Sequence, residues 1–156
     1  MPWNAPWTKL HSLKVDGGQA GLWRKITENL LFFNHFRHQD EYESSEALEK
    51  CSREDGEIVS SKLAGQSLFL LPGGAKHKIL LDIDHNAVLV PSSTEGHWHL
   101  YIDHELPWSK YCALLLALAE AGVIEDGYAQ ASIRREQTHL RVPWLNKTGA
   151  PNGGYQ

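Results

Sequence analysis

KHKILLDIDHNAVLVPSSTEGHWHLYID, residues 76–103, reads as three short extended runs, 76–84, 87–90 and 97–103, separated by polar turns. Strand side chains alternate between two faces. The last run therefore puts His97, His99, Tyr101 and Asp103 on one face and Trp98, Leu100 and Ile102 on the other. The second face is apolar and belongs to a core, whereas the first is polar and titratable. The first run behaves alike, with Asp82 and Asp84 opposite Leu81 and Ile83. With these runs close in one sheet, three carboxylates and two imidazoles converge on one patch.

Around this stretch the apolar period changes. Residues 21–36, GLWRKITENLLFFNHF, set Leu22, Ile26, Leu30 and Phe33 on a helical stripe flanked by Trp23 and Phe36, which predicts an amphipathic helix. ESSEALEKCSREDG, 43–56, predicts a short surface helix stopped by Gly56. SLFLL, 67–71, is an apolar run closed by Pro72-Gly73-Gly74. Downstream, WSKYCALLLALAEAG (108–122) predicts a strong helix ended by Gly122. GYAQASIRREQ follows as a second helix or turn, THLRVPW (138–144) as a last strand, and 148–156 as a flexible tail. The expected architecture is α+β. An N-terminal helical segment, 1–75, packs on a core spanning 76–147, whose antiparallel sheet carries helices on one side.

A length of 156 residues suits one compact domain. A hydrophobic fraction of 42% with 22% charged residues places the chain among globular proteins rather than disordered ones. No apolar run reaches the ~20 residues of a membrane span, and the N-terminus lacks a signal-like apolar region, so the expectation is an intracellular, cytoplasmic protein without a membrane partner. Cys51 and Cys112 form no CxxC pattern, which argues against a zinc ribbon or a disulfide framework. The net charge of -4 is uneven: eight carboxylates lie between Asp40 and Glu57 against Lys50 and Arg53. Arg134, Arg135, Arg141 and Lys147 leave room for a basic surface near the C-terminus.

Carboxylates at DxD spacing suit a hard cation, Mg²⁺ or Mn²⁺, which completes its shell with water and substrate phosphate. A nearby imidazole can hydrogen-bond a phosphate oxygen or shuttle a proton. The PSSTEG turn offers Ser92, Ser93 and backbone N–H groups that could cradle a phosphate, or it is a plain polar hairpin turn. Arg141 and Lys147 are cations able to meet phosphates, and Asn146 could fix their loop or a sugar. His85 and His104 fall in turns and read as ordinary surface histidines.

In order, LLDID, VPSSTEGHWHLYI, a helix and LRVPWLNK resemble the catalytic core of archaeo-eukaryotic-type primases, especially the compact primase-polymerases of phages and plasmids. The resemblance covers roughly residues 76–147, and Trp144 stands where that family's loop has glycine. The chain also resembles small proteins of actinobacterial phages that share VPSST and HLYID, which implies a phage origin inside a bacterial host. By the primase resemblance the sheet is RRM-like, and Asp82, Asp84 and Asp103 are ligands of Mg²⁺ or Mn²⁺. His97, His99 and Asp103 then form the catalytic set, with Ser92, Ser93, Arg141, Asn146 and Lys147 binding substrate. The implied activity is metal-dependent nucleotidyl transfer. The rival readings are a two-histidine phosphoesterase built on His99 and His139, and a non-catalytic protein that binds a nucleotide, single-stranded nucleic acid or a host protein.

Overall fold

The computed structural model describes residues 17–34, 49–66, 72–145 and 147–148. Among them the chain is α+β, with three helices and two small antiparallel sheets. It divides into two compact units, residues 1–81 and 82–156.

The first unit opens with helix α1, Gly17–Thr27. The helix stops where Thr27, buried and β-branched, turns its hydroxyl back to donate to the Trp23 carbonyl at 2.9 Å. The expected helix over 21–36 is thus corrected to a helix followed by a strand. Leu30–Asn34 is strand β1, with Leu30 and Phe32 buried and Leu31 and Phe33 half-buried. That is a period of two, so the consecutive LLFF run wins over the helical stripe. The acidic segment is corrected in the same way, since Glu49–Cys51 is strand β2; residues 43–48 lie outside the described residues. Strand β3, Ile58–Leu63, completes a sheet of order β2-β1-β3, antiparallel throughout. Phe32 faces Cys51 on one side and Val59 on the other. The register on β3 shifts between Leu30 and Phe32, where the Ser60 hydroxyl accepts from the Lys62 N–H.

The run expected as the strand 76–84 forms no strand: its residues 76–81 belong to this unit and are anchored there at their start. Gln66 holds the Lys76 backbone from both sides, at 2.9 Å and 2.8 Å, and His77 forms a single bridge to Lys62. His77 Nδ1 also lies 2.9 Å from the Ser61 hydroxyl. Residues 78–83 form no ladder, and Ile79 and Leu81 stand 63% and 72% exposed. The SLFLL run lies outside the described residues.

The second unit begins with a hairpin. Strands β4, Ala87–Pro91, and β5, Trp98–Ile102, pair antiparallel without irregularity, from Ala87 opposite Ile102 to Pro91 opposite Trp98. Helix α2, Trp108–Glu120, follows and ends as expected at Gly122, whose φ of 72° suits glycine. The Val123 N–H returns to the Leu118 carbonyl at 2.9 Å and closes the cap. Helix α3, Asp126–Arg135, packs on α2. Its contact side is small: Ala129 and Ser132 are fully buried and Leu115 of α2 nearly so, which lets the helix axes approach closely. Asp126 in the first turn and Arg134 and Arg135 in the last suit the helix dipole. After α3 the expected strand 138–144 does not form. Pro143 lacks an N–H, and the chain turns there, with the Leu145 N–H donating to the Val142 carbonyl. Tyr111 of α2 anchors this segment through a 2.9 Å hydrogen bond between its hydroxyl and that of Thr138.

Candidate functional site on the β4–β5 hairpin

The uniform register decides where the hairpin's side chains go. Residues opposite one another share a face, so Ala87, Leu89 and Pro91 lie with Ile102, Leu100 and Trp98. Val88 and Val90 lie with Tyr101 and His99 on the other face. Two backbone bonds extend the ladder at its ends: Asp103 N–H to the Asn86 carbonyl at 2.8 Å, and Ser92 N–H to the His97 carbonyl at 2.9 Å. Ser92, His97, His99, Tyr101 and Asp103 therefore share the polar face, as alternation predicts.

Sharing a face does not bring them together. Asp103 and the Ser92–His97 pair stand at opposite ends of the hairpin, six residues or ~20 Å apart. His99 is four residues from Asp103, ~14 Å along the strand. Asp82 and Asp84 precede β4 and lie outside the ladder, so Asp84 belongs to the Asp103 end and not to the histidine end. All three carboxylates are exposed. Among the described residues no group of three or more His, Cys, Asp or Glu side chains is arranged to hold a metal ion.

The 92–97 turn uses its own polar groups. The Ser92 hydroxyl accepts from the Thr94 N–H at 3.2 Å, and the His97 N–H donates to the Thr94 carbonyl at 3.1 Å. Gly96, at φ 77°, supplies the left-handed residue that this tight turn needs. The N–H groups of Ser92, Thr94 and His97 are thereby engaged within the hairpin and its turn. Ser93 is exposed, Arg141 and Lys147 are exposed, and Asn146 lies outside the described residues.

Sequence reasoning passed over one pairing. His85 and His104, both exposed, stack with ring centroids 4.2 Å apart and planes 24° from parallel. They flank the Asn86–Asp103 bond, so the imidazoles beside the acidic end are these two and not His97 and His99. The signal was available only through the register, because neither turn reveals its partner alone.

The face expected as core is open. Leu89, Trp98, Leu100 and Ile102 are 44%, 39%, 49% and 43% exposed. Comparison with protein-family models, curated proteins and solved structures gives no match. No described helix is long and apolar enough to cross a membrane. Residues 82–156 carry nine carboxylates against five Lys and Arg, so the hairpin belongs to an acidic unit.

Proposed function

We propose that this chain is a non-catalytic protein-binding module whose recognition element is the β4–β5 hairpin. The observation that carries the reading is the open face of Ala87, Leu89, Pro91, Trp98, Leu100 and Ile102. Exposed apolar side chains gathered on one face in this way, rather than scattered singly, suit an interaction surface. Charge narrows the partner. Binding to a nucleic-acid backbone draws its affinity from Lys and Arg on phosphates. Here Asp84, Glu95, Asp103 and Glu105 border the hairpin and would repel a polyanion. A polypeptide offering apolar side chains meets no such penalty. By the phage resemblance, that partner belongs to the bacterial host or to the phage itself.

The RRM-like relationship implied by the primase resemblance is part of this proposal. What supports it is an antiparallel strand pair carrying the HxH run and followed directly by a helix, in the order the resemblance requires. Metal-dependent nucleotide handling is the second reading. One observation favours it: the register sets Asp103 beside Asn86, two residues from Asp84.

Photo-cross-linking separates the two. With p-benzoylphenylalanine replacing Leu89 or Leu100, irradiated cells give a cross-linked polypeptide, while the same probe at Glu120 on α2 gives none. Calorimetric titration of Mn²⁺ and a nucleoside triphosphate gives no heat with wild-type protein. Metal-dependent nucleotide binding that disappears in Asp82→Asn/Asp84→Asn, with no cross-link at either hairpin position, overturns the proposal in favour of the second reading.

A further inference from the structure

The hairpin's two edges are not equivalent. In an antiparallel pair, residues whose N–H and C=O point to the partner strand alternate with residues whose groups point away. The bonds Asp103 to Asn86 and Ser92 to His97 fix the phase. Val88, Val90, His99 and Tyr101 bond within the hairpin, and Ala87, Leu89, Pro91, Trp98, Leu100 and Ile102 face outward. On β4 that outward edge ends in Pro91, which has no N–H and blunts strand addition. On β5 the outward residues are Trp98, Leu100 and Ile102, with no proline, no charge and no bulge. Among the described residues no strand covers this edge. The Ile102 carbonyl already accepts from the His104 N–H at 2.9 Å, and a carbonyl has a second lone pair to offer.

We infer that the occupant of the β5 edge is β5 of a second copy of this chain, paired antiparallel about a two-fold axis at Leu100. The inference rests on the hairpin being a protein-docking element. Its ground is self-complementarity. The outward residues are symmetric about Leu100, so Trp98 meets the partner copy's Ile102, and Leu100 meets its own counterpart. Such a closed, isologous contact uses the same patch on both copies.

The same axis supplies hydrogen-bonding complementarity. On the polar face it sets His97 opposite the second copy's Asp103, and His99 opposite its Tyr101. These are non-hydrogen-bonded positions, where side chains approach most closely. The histidines and the aspartate, ~14–20 Å apart within one hairpin, thus become cross-strand neighbours between copies. The polar constellation legible in HWHLYID is incomplete in one chain and complete in two. An edge contact of five residues is small beside the roughly 800 Å² per partner of a stable interface, so the dimer is weak, with a dissociation constant on the order of 10–100 μM.

Sedimentation equilibrium of the full chain, run from low to high micromolar concentration, tests this. The mass rises from 17.6 kDa toward twice that value. His97→Asp opposes two carboxylates across each end of the contact and weakens association roughly tenfold. Adding Asp103→Lys to it restores the wild-type constant. Leu100→Pro removes an outward N–H while sparing the bonds between β4 and β5, and it abolishes the dimer with an unchanged circular dichroism spectrum. A dimer indifferent to both His97→Asp and Leu100→Pro overturns the edge pairing. A chain that stays monomeric yet cross-links another polypeptide at Leu100 overturns the second copy and leaves the docking role standing. A monomer without any cross-link overturns both.

Discussion

Replacing Gly56 by alanine tests the packing that holds the first unit together. A Cβ at that position would lie 2.7 Å from Phe32 Cδ1, 3.0 Å from Cβ and 3.2 Å from Cγ. Phe32 is 7% exposed in the centre of the β2-β1-β3 sheet, and its ring meets the Trp23 ring edge-on at 6.4 Å. Reaching ordinary van der Waals contact requires an opening of about 0.7 Å that a nearly buried ring resists. Overpacking of this kind costs about 1–3 kcal/mol. Gly56 has no left-handed φ, so alanine also stiffens the unfolded chain and returns about 0.5 kcal/mol. The net expectation is a loss of about 1–2 kcal/mol, read by denaturant unfolding followed through tryptophan fluorescence. Phe32→Leu in the Gly56→Ala background recovers part of that loss, because the shorter side chain vacates the clash. A Gly56→Ala protein as stable as wild type, or a cycle with no coupling to Phe32, refutes the close approach.

Three further outcomes follow from local geometry. Burial raises the Tyr128 phenol above its ordinary value of 10.0, offset in part by the Thr138 hydroxyl. The neutral phenol is thus favoured in the folded state: its contribution is fully present below about pH 10 and is lost as pH rises through the folded value. Alkaline unfolding of Tyr128→Phe, followed by circular dichroism, is correspondingly less steep than that of wild type. Burial, with Asp55 and Glu57 adding like charge, raises the Cys51 thiol, so Cys51 alkylates slowly at neutral pH and faster in Asp55→Asn, as mass spectrometry will read. Glu136 ends α3 with φ 57°, a conformation glycine adopts without strain. Glu136→Gly raises thermal stability by about 0.5–1 kcal/mol, and a fall in the melting temperature contradicts the assignment.

The hairpin and helix α2 were legible because each carries one unambiguous signal, whereas GYAQASIRREQ read equally as a helix or a turn. AVLV and HWHLYID alternate around a polar turn, and WSKYCALLLALAEAG is apolar with a glycine at its end. The first unit was not, since Leu30 and Phe33 satisfy a helical stripe as well as a strand. The hydroxyl of Thr27 and the turn at Glu28–Asn29 decide between them. Strand β3 escaped because IVSSKL is polar in its middle and half-buried throughout. For the site, alternation correctly assigned His97, His99, Tyr101 and Asp103 to one face, but a shared face says nothing of separation along the strand. That separation, and the His85–His104 stack, depend on the register. The open apolar face was the least legible feature, since Leu100 and Ile102 look the same in sequence whether their cover lies within the chain or outside it.

The most direct test of the docking role is hydrogen exchange at the outward-facing amides of Trp98, Leu100 and Ile102, followed by NMR as protein concentration rises and then as extract of expressing cells is added. The docking role predicts that these three amides become protected while those of His99 and Tyr101, already bonded within the hairpin, change little. Outward amides that exchange freely throughout, while the Asp82 and Asp84 resonances shift with Mg²⁺ and a nucleoside triphosphate, would contradict it.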